Sequence, residues 1–151
     1  MTAELILDAR NATGESPVWS TTEQALYWVD IPAKRLHRWS PADGKKQSWQ
    51  ASQMLACIAQ TGNGNWIAAM ENGLFAITPH ADGSLDSRLL ASVTHALPGM
   101  RFNGHAGFAK QRLLVGAACV GVFHRHRQGA EFKHQGIGGL LDQRFGDEQG
   151  E

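Results

Sequence analysis

The chain has only two cysteines, no net charge and no apolar run long enough to span a bilayer, and each shortage removes a class of protein. Cys57 and Cys119 sit in apolar contexts without Cys-x-x-Cys spacing. That excludes a disulfide framework and reads as two buried free thiols in a reducing compartment. With 14 basic residues against 14 acidic ones, nothing electrostatic selects nucleic acid or another polyanion. The opening residues, Met1 to Arg10, interrupt their apolar positions with charge and carry no secretory core, so a cytoplasmic address and no membrane partner are expected. Without a secretory route the sequon Asn11-Ala12-Thr13 reads as a turn approaching the first strand. Sustained helical periodicity, which a βαβ fold requires, is missing as well.

What is present is repeated strand text. Gly14-Glu15-Ser16-Pro17-Val18-Trp19 precedes Leu26-Tyr27-Trp28-Val29-Asp30-Ile31, and the proline predicts an extended backbone at Ser16. Glu15 then stands at a strand entrance, where a carboxylate can point into a central cavity. The text from Trp28-Val29 through Leu36, Trp39 and Pro41 recurs 38 residues later, from Trp66-Ile67 through Leu74, Ile77 and Pro79. A fainter third copy runs through Leu113-Leu114-Val115-Gly116 and Val122 to Arg125. The copies are punctuated by Asp43-Gly44, Asn63-Gly64, Asn72-Gly73 and Asp82-Gly83, residues favoured in tight hairpin turns with positive φ. Four-stranded units at roughly 40 to 50 residues predict an all-β fold, a β-propeller of which about three blades are present. The expected division is a partial propeller over residues 1–141 and a polar, disordered tail over 142–151. Trp19, Trp28, Trp39, Trp49 and Trp66 read as packing between blades. His124 and His126 read as partly exposed strand histidines.

Taken in order, Gly-Glu-Ser-Pro-Val-Trp, Leu-Tyr-Trp-Val-Asp-Ile, Leu36-His37-Arg38-Trp39, Ile67-Ala68-Ala69-Met70, Gly73-Leu74-Phe75 and Met100-Arg101-Phe102-Asn103 resemble the SMP-30/gluconolactonase/LRE-like (regucalcin) family over about residues 4 to 103. The resemblance implies a six-bladed β-propeller and metal-dependent hydrolysis of a sugar lactone to the aldonic acid. It implies that Glu15 is a metal-binding carboxylate and that Arg101 and Asn103 face the sugar lactone, with Phe102 turned into the blade packing. The implied cofactor is a divalent cation, Ca²⁺ first, with Zn²⁺ or Mn²⁺ as alternatives. Taken alone, a glutamate before Ser-Pro reads as a solvated turn residue, Arg101 as a side chain lying over an apolar edge, and Asn103 before Gly104 as a turn signal.

After Asn103 the text departs from the family. Members continue Asn-Asp-Gly-Arg, whereas this chain reads Gly104-His105-Ala106-Gly107, and Gly138 to Gly146 stand where a Pro-Asn-Gly-Leu segment would supply a second metal ligand. No catalytic base is identified. The expectation is a lactonase impaired by missing part of its site. The alternative is a non-catalytic propeller fragment or a binding module that self-associates, as a homodimer, through open blade faces.

Overall fold

The computed structural model describes residues 2–95, 100–109, 112–119 and 141–144, with side chains through residue 95 and at residues 101 and 102. All of its regular structure is β. The strands are β1 (Gly14–Ser20), β2 (Ala25–Asp30), β3 (Arg35–Trp39), β4 (Lys46–Gln50), β5 (Leu55–Gln60), β6 (Trp66–Met70), β7 (Gly73–Pro79), β8 (Leu85–Ser92), β9 (Met100–Ala109), β10 (Arg112–Cys119) and β11 (Leu141–Arg144). They make two four-stranded antiparallel sheets, β1-β2-β3-β4 and β5-β6-β7-β8, and a three-stranded sheet in the order β11-β10-β9.

The turns follow the sequence closely. Gly44, Gly64 and Gly83 all have positive φ, at 66°, 87° and 91°. In two of these turns an aspartate caps the next amide but one, Asp43 accepting from Lys45 N and Asp82 from Ser84 N. Gly73 has a different reason to be glycine. It opens β7, and a Cβ there would lie 2.3 Å from the carbonyl oxygen of Ala91 on the neighbouring strand. The repeat is not a uniform translation, because Ile31–Lys34 join β2 to β3 while Glu71-Asn72 alone join β6 to β7.

Packing between sheets explains why the middle of the chain is so continuously apolar. Tyr27, Val29, Leu36 and Trp49 of the first sheet meet Leu55, Ile58, Trp66, Met70 and Ile77 of the second. The other side of the second sheet, with Ala56, Cys57, Ala59, Ile67 and Leu74, closes on Phe102 of β9. The second sheet is therefore covered on both faces, and β5 and β6 are buried almost throughout. Phe102, 1% exposed, turns into this packing as expected and contributes about 2 kcal/mol by leaving water. Tyr27 lies 4.3 Å from Trp66 and 6.4 Å from Trp49, ring centre to ring centre. Trp28, Trp49 and Trp66 are buried, whereas Trp19 is 44% exposed.

Cys57 is a buried free thiol, as expected. The side chain of Cys119, in β10, lies outside the described residues, as do His124 and His126. Leu141–Arg144 pair with β10, so the first residues of the segment read as a loose tail lie in a sheet, and 145–151 fall outside the described residues.

Candidate functional site

The sequence candidates stand on two strands that touch each other. β1, β5 and β9 are the first strands of their sheets, and each touches the other two. Glu15 is the second residue of β1, while Arg101 and Asn103 stand near the start of β9. Glu15 is half-buried. Arg101 is partly buried, and its Nη1 donates to the carbonyl of Phe102 at 3.0 Å. Asn103 lies in β9 two residues beyond Arg101, and its side chain is outside the description. The backbone thus gathers the three positions on mutually contacting strands.

Ser16 departs from the sequence expectation of extended backbone. Its φ is +52°, in the left-handed region, and the pairing slips between Glu15, opposite Val29, and Val18, opposite Tyr27. Ser16 and Pro17 therefore form a β-bulge. The left-handed conformation costs about 1–2 kcal/mol for a residue with a Cβ. Two hydrogen bonds offset it, each worth about 1 kcal/mol: Ser16 Oγ accepts from Ile58 N at 3.0 Å and donates to Ile58 O at 3.3 Å. Pro17 still keeps Ser16 out of the right-handed helical region, but the tie to β5 decides which remaining basin it takes.

A second group of residues was given no site role from sequence. Asp30, only 5% exposed, ends β2 and accepts from the amide of Ala12 at 2.9 Å, the amide of Thr13 at 3.1 Å and Asn11 Nδ2 at 3.1 Å. Burial alone would raise its pKa, but these donors outweigh burial and hold the carboxyl below its ordinary value. Trp28 Nε1 donates to Asn11 Oδ1 at 2.9 Å, which fixes the amide so that Nδ2 faces Asp30 and, at 3.0 Å, His37 Nε2. His37 Nε2 must then accept, so the proton sits on Nδ1 and is donated to Ser48 Oγ at 2.7 Å. Burial, aided by the Lys46 charge, lowers the His37 pKa to about 4. Lys46 also donates to the carbonyl of Ala9 at 3.2 Å. The stretch from Ala9 to Thr13 is in this way strapped across the first sheet. A charged residue closing an otherwise buried strand, Tyr27-Trp28-Val29-Asp30, was the signal that could have found the network, because such a carboxylate must find donors.

The fit to a metal is incomplete. Ca²⁺ takes about six to eight oxygen ligands. Among the described residues no three His, Cys, Asp or Glu side chains are grouped to hold an ion. Glu15 brings a single carboxylate, and the described residues do not by themselves make a cation site. A cleft of about 420 Å³ lies beyond the β1–β2 turn, where Glu23, Tyr27, Arg38, Trp49, Trp66 and His80 line it. Tyr27 Oη donates to Glu23 at 2.7 Å and Arg38 Nε donates to the same carboxylate at 3.2 Å, so these polar groups satisfy one another. Among the described residues no helix is long and apolar enough to cross a membrane.

Comparison with known proteins places this geometry. The chain is 38% identical over 102 residues to a 6-deoxy-6-sulfogluconolactonase of Pseudomonas putida, a match covering 68% of this chain and 34% of that one. It is 32% identical over 113 residues to regucalcin of Xenopus laevis, covering 75% of this chain and 37% of the relative. The fold matches the crystal structure of regucalcin, a calcium-binding protein of Agrobacterium tumefaciens, with a TM-score of 0.67 at 23% identity, over 76% of this chain and 38% of that one. The chain thus spans about a third of the length of the curated relatives it matches. The SMP-30/Gluconolactonase/LRE-like region model matches residues 13–141, and the chain belongs to that family.

Proposed function

We propose that this chain carries part of the active site of a sugar-lactone hydrolase, and that its sheets are blades of a β-propeller whose first strands line the site. The observation that supports the reading is the mutual contact of β1, β5 and β9, the first of which carries Glu15 and the last Arg101 and Asn103. The Pseudomonas putida relative is named a lactonase, and the chemistry of the three residue types suits a lactone substrate. In the reaction, water oxygen bonds to the lactone carbonyl carbon and the ring acyl C–O bond breaks. The ring oxygen leaves as a hydroxyl, and the aldonic acid ionises.

Arg101 offers a planar fork of donors to lactone or sugar oxygens, and an Asn at 103 adds a donor and an acceptor, so the pair would orient a polyhydroxylated ring. Glu15 supplies one oxygen arm toward a divalent cation, Ca²⁺ in first place and Zn²⁺ or Mn²⁺ as alternatives, completed by groups beyond the described residues. The lone carboxylate also favours a second reading, a non-catalytic or self-associating binding module. The test is hydrolysis of glucono-1,5-lactone, followed by acid release with and without each cation, against Glu15→Ala. Metal-dependent turnover lost in Glu15→Ala is the expected result. Turnover no faster than the spontaneous rate would reject the enzyme reading for this chain in favour of the module.

A further inference from the structure

We infer that Asp30 and Ser16 are positioning residues for Glu15, clamping the backbone on either side of it so that it keeps one direction; the inference rests on the reading that Glu15 serves the site. On the N-terminal side, the two carboxylate oxygens of Asp30 take the amides of Thr13 and Ala12, and Ile31 N donates to Thr13 O at 3.1 Å. The chain that enters β1 is thereby tied to the end of β2. On the C-terminal side, Ser16 Oγ both donates to and accepts from the backbone of Ile58, tying β1 to β5 of the next sheet. Only Gly14 and Glu15 lie between the two ties, and Gly14 pairs opposite Asp30 itself.

The bulge gives the clamp its purpose. In a regular strand successive side chains alternate between faces, so the direction of Glu15 would be dictated by Val18, which packs against the core. A bulge inserts an extra residue and breaks that dependence, and bulges serve to re-aim side chains beside functional sites. Here the inserted residue is held in a left-handed conformation that a serine adopts only when its surroundings over-determine it. A strap whose sole task was to cover the first sheet would need Asn11 and Lys46, but no bond from Ser16 to Ile58.

The test uses the whole chain, isotopically labelled, with Asp30→Asn and Ser16→Ala, and with Ile77→Val as a core variant remote from the clamp. The backbone order parameter of the Glu15 amide is expected to fall from about 0.85, typical of rigid strand, toward about 0.6 in each clamp variant and to stay unchanged in Ile77→Val. A Glu15 amide that stays rigid in both clamp variants, while their melting temperatures drop, would overturn the inference and leave a purely structural network. Calcium titration separates the underlying reading. Glu15→Gln should weaken Ca²⁺ binding about tenfold or more, and each clamp variant should weaken it less. An affinity unmoved by Glu15→Gln would overturn the role of Glu15, whatever the order parameters report.

Discussion

Protonating His37 should loosen the fold between neutral and mildly acidic pH. The ring is 4% exposed and its centre lies 5.1 Å from that of Trp28. Its Nε2 faces an Asn11 amide that cannot turn round, because the same amide accepts from Trp28 through Oδ1. A proton on Nε2 would therefore meet N–H hydrogens rather than a lone pair. Burial, then the Lys46 charge, lowers the pKa from 6.5 to about 4, with Asp30 opposing and Arg35 assisting. The unfolded chain binds this proton from about pH 6.5 downward while the folded chain refuses it until about pH 4, so the unfolded state holds more protons across that window. Stability contributed by neutral His37 is then complete above pH 6.5 and is lost as pH falls toward 4. The shift corresponds to at most about 3.4 kcal/mol, and solvent screening of the exposed Lys46 and Arg35 reduces the expectation to about 2 kcal/mol. Urea unfolding at pH 7, 5.5 and 4 measures it, with His37→Gln as the comparison, since glutamine keeps a donor and an acceptor without titrating. The wild type should lose about 2 kcal/mol more than the variant over this range. Equal losses in the two proteins would refute the reasoning. Below this window Asp30 takes over: its lowered pKa contributes stability above the ordinary carboxylate value that is lost as pH falls further.

Gly73→Ala should destabilise by about 2–3 kcal/mol in urea unfolding, because the new methyl would meet the backbone oxygen of Ala91 and one strand must move. Gly44→Ala, at φ +66° with nothing within 4 Å, should lose only about 1 kcal/mol, and similar losses at both sites would contradict the close-approach account. Burial raises the Cys57 thiol to about 12. In a Cys119→Ser background at pH 8, its labelling by a thiol reagent should be about a thousandfold slower in the native chain than in urea, and comparable rates would show that β5 opens readily.

The architecture was legible where one residue type answers to one local demand. Asp-Gly and Asn-Gly pairs mark three turns whose glycines do adopt positive φ, and apolar runs mark strands. Asn72-Gly73 looked the same in sequence, yet Gly73 answers to Ala91, which pairing places across the sheet and no local pattern reveals. Ser16 shows the same limit. Its neighbour Pro17 argues correctly against a helical conformation, but the choice between extended and left-handed is settled by Ile58, 42 residues away in the chain. The network of Asn11, Asp30 and His37 was not legible for a related reason. Each is unremarkable among its neighbours, and only the crossing of residues 9–13 over the first sheet shows that they satisfy one another.

Glu15 and Arg101 depend on the second sheet as much as on their own strands. The first sheet and β9 both pack on the second sheet, whose two buried faces take Tyr27 and Val29 on one side and Phe102 on the other. Phe102 follows Arg101 directly, so the side chain that anchors β9 against the second sheet also fixes the height of the candidate substrate residue. Ile58 plays the matching part for the first sheet, since its side chain belongs to the core between the sheets and its backbone holds Ser16. Core and site are therefore one construction here. A repacking of β5 that shifted Ile58 would reach Glu15 through Ser16, and one that shifted Cys57 or Ala59 would reach Arg101 through Phe102.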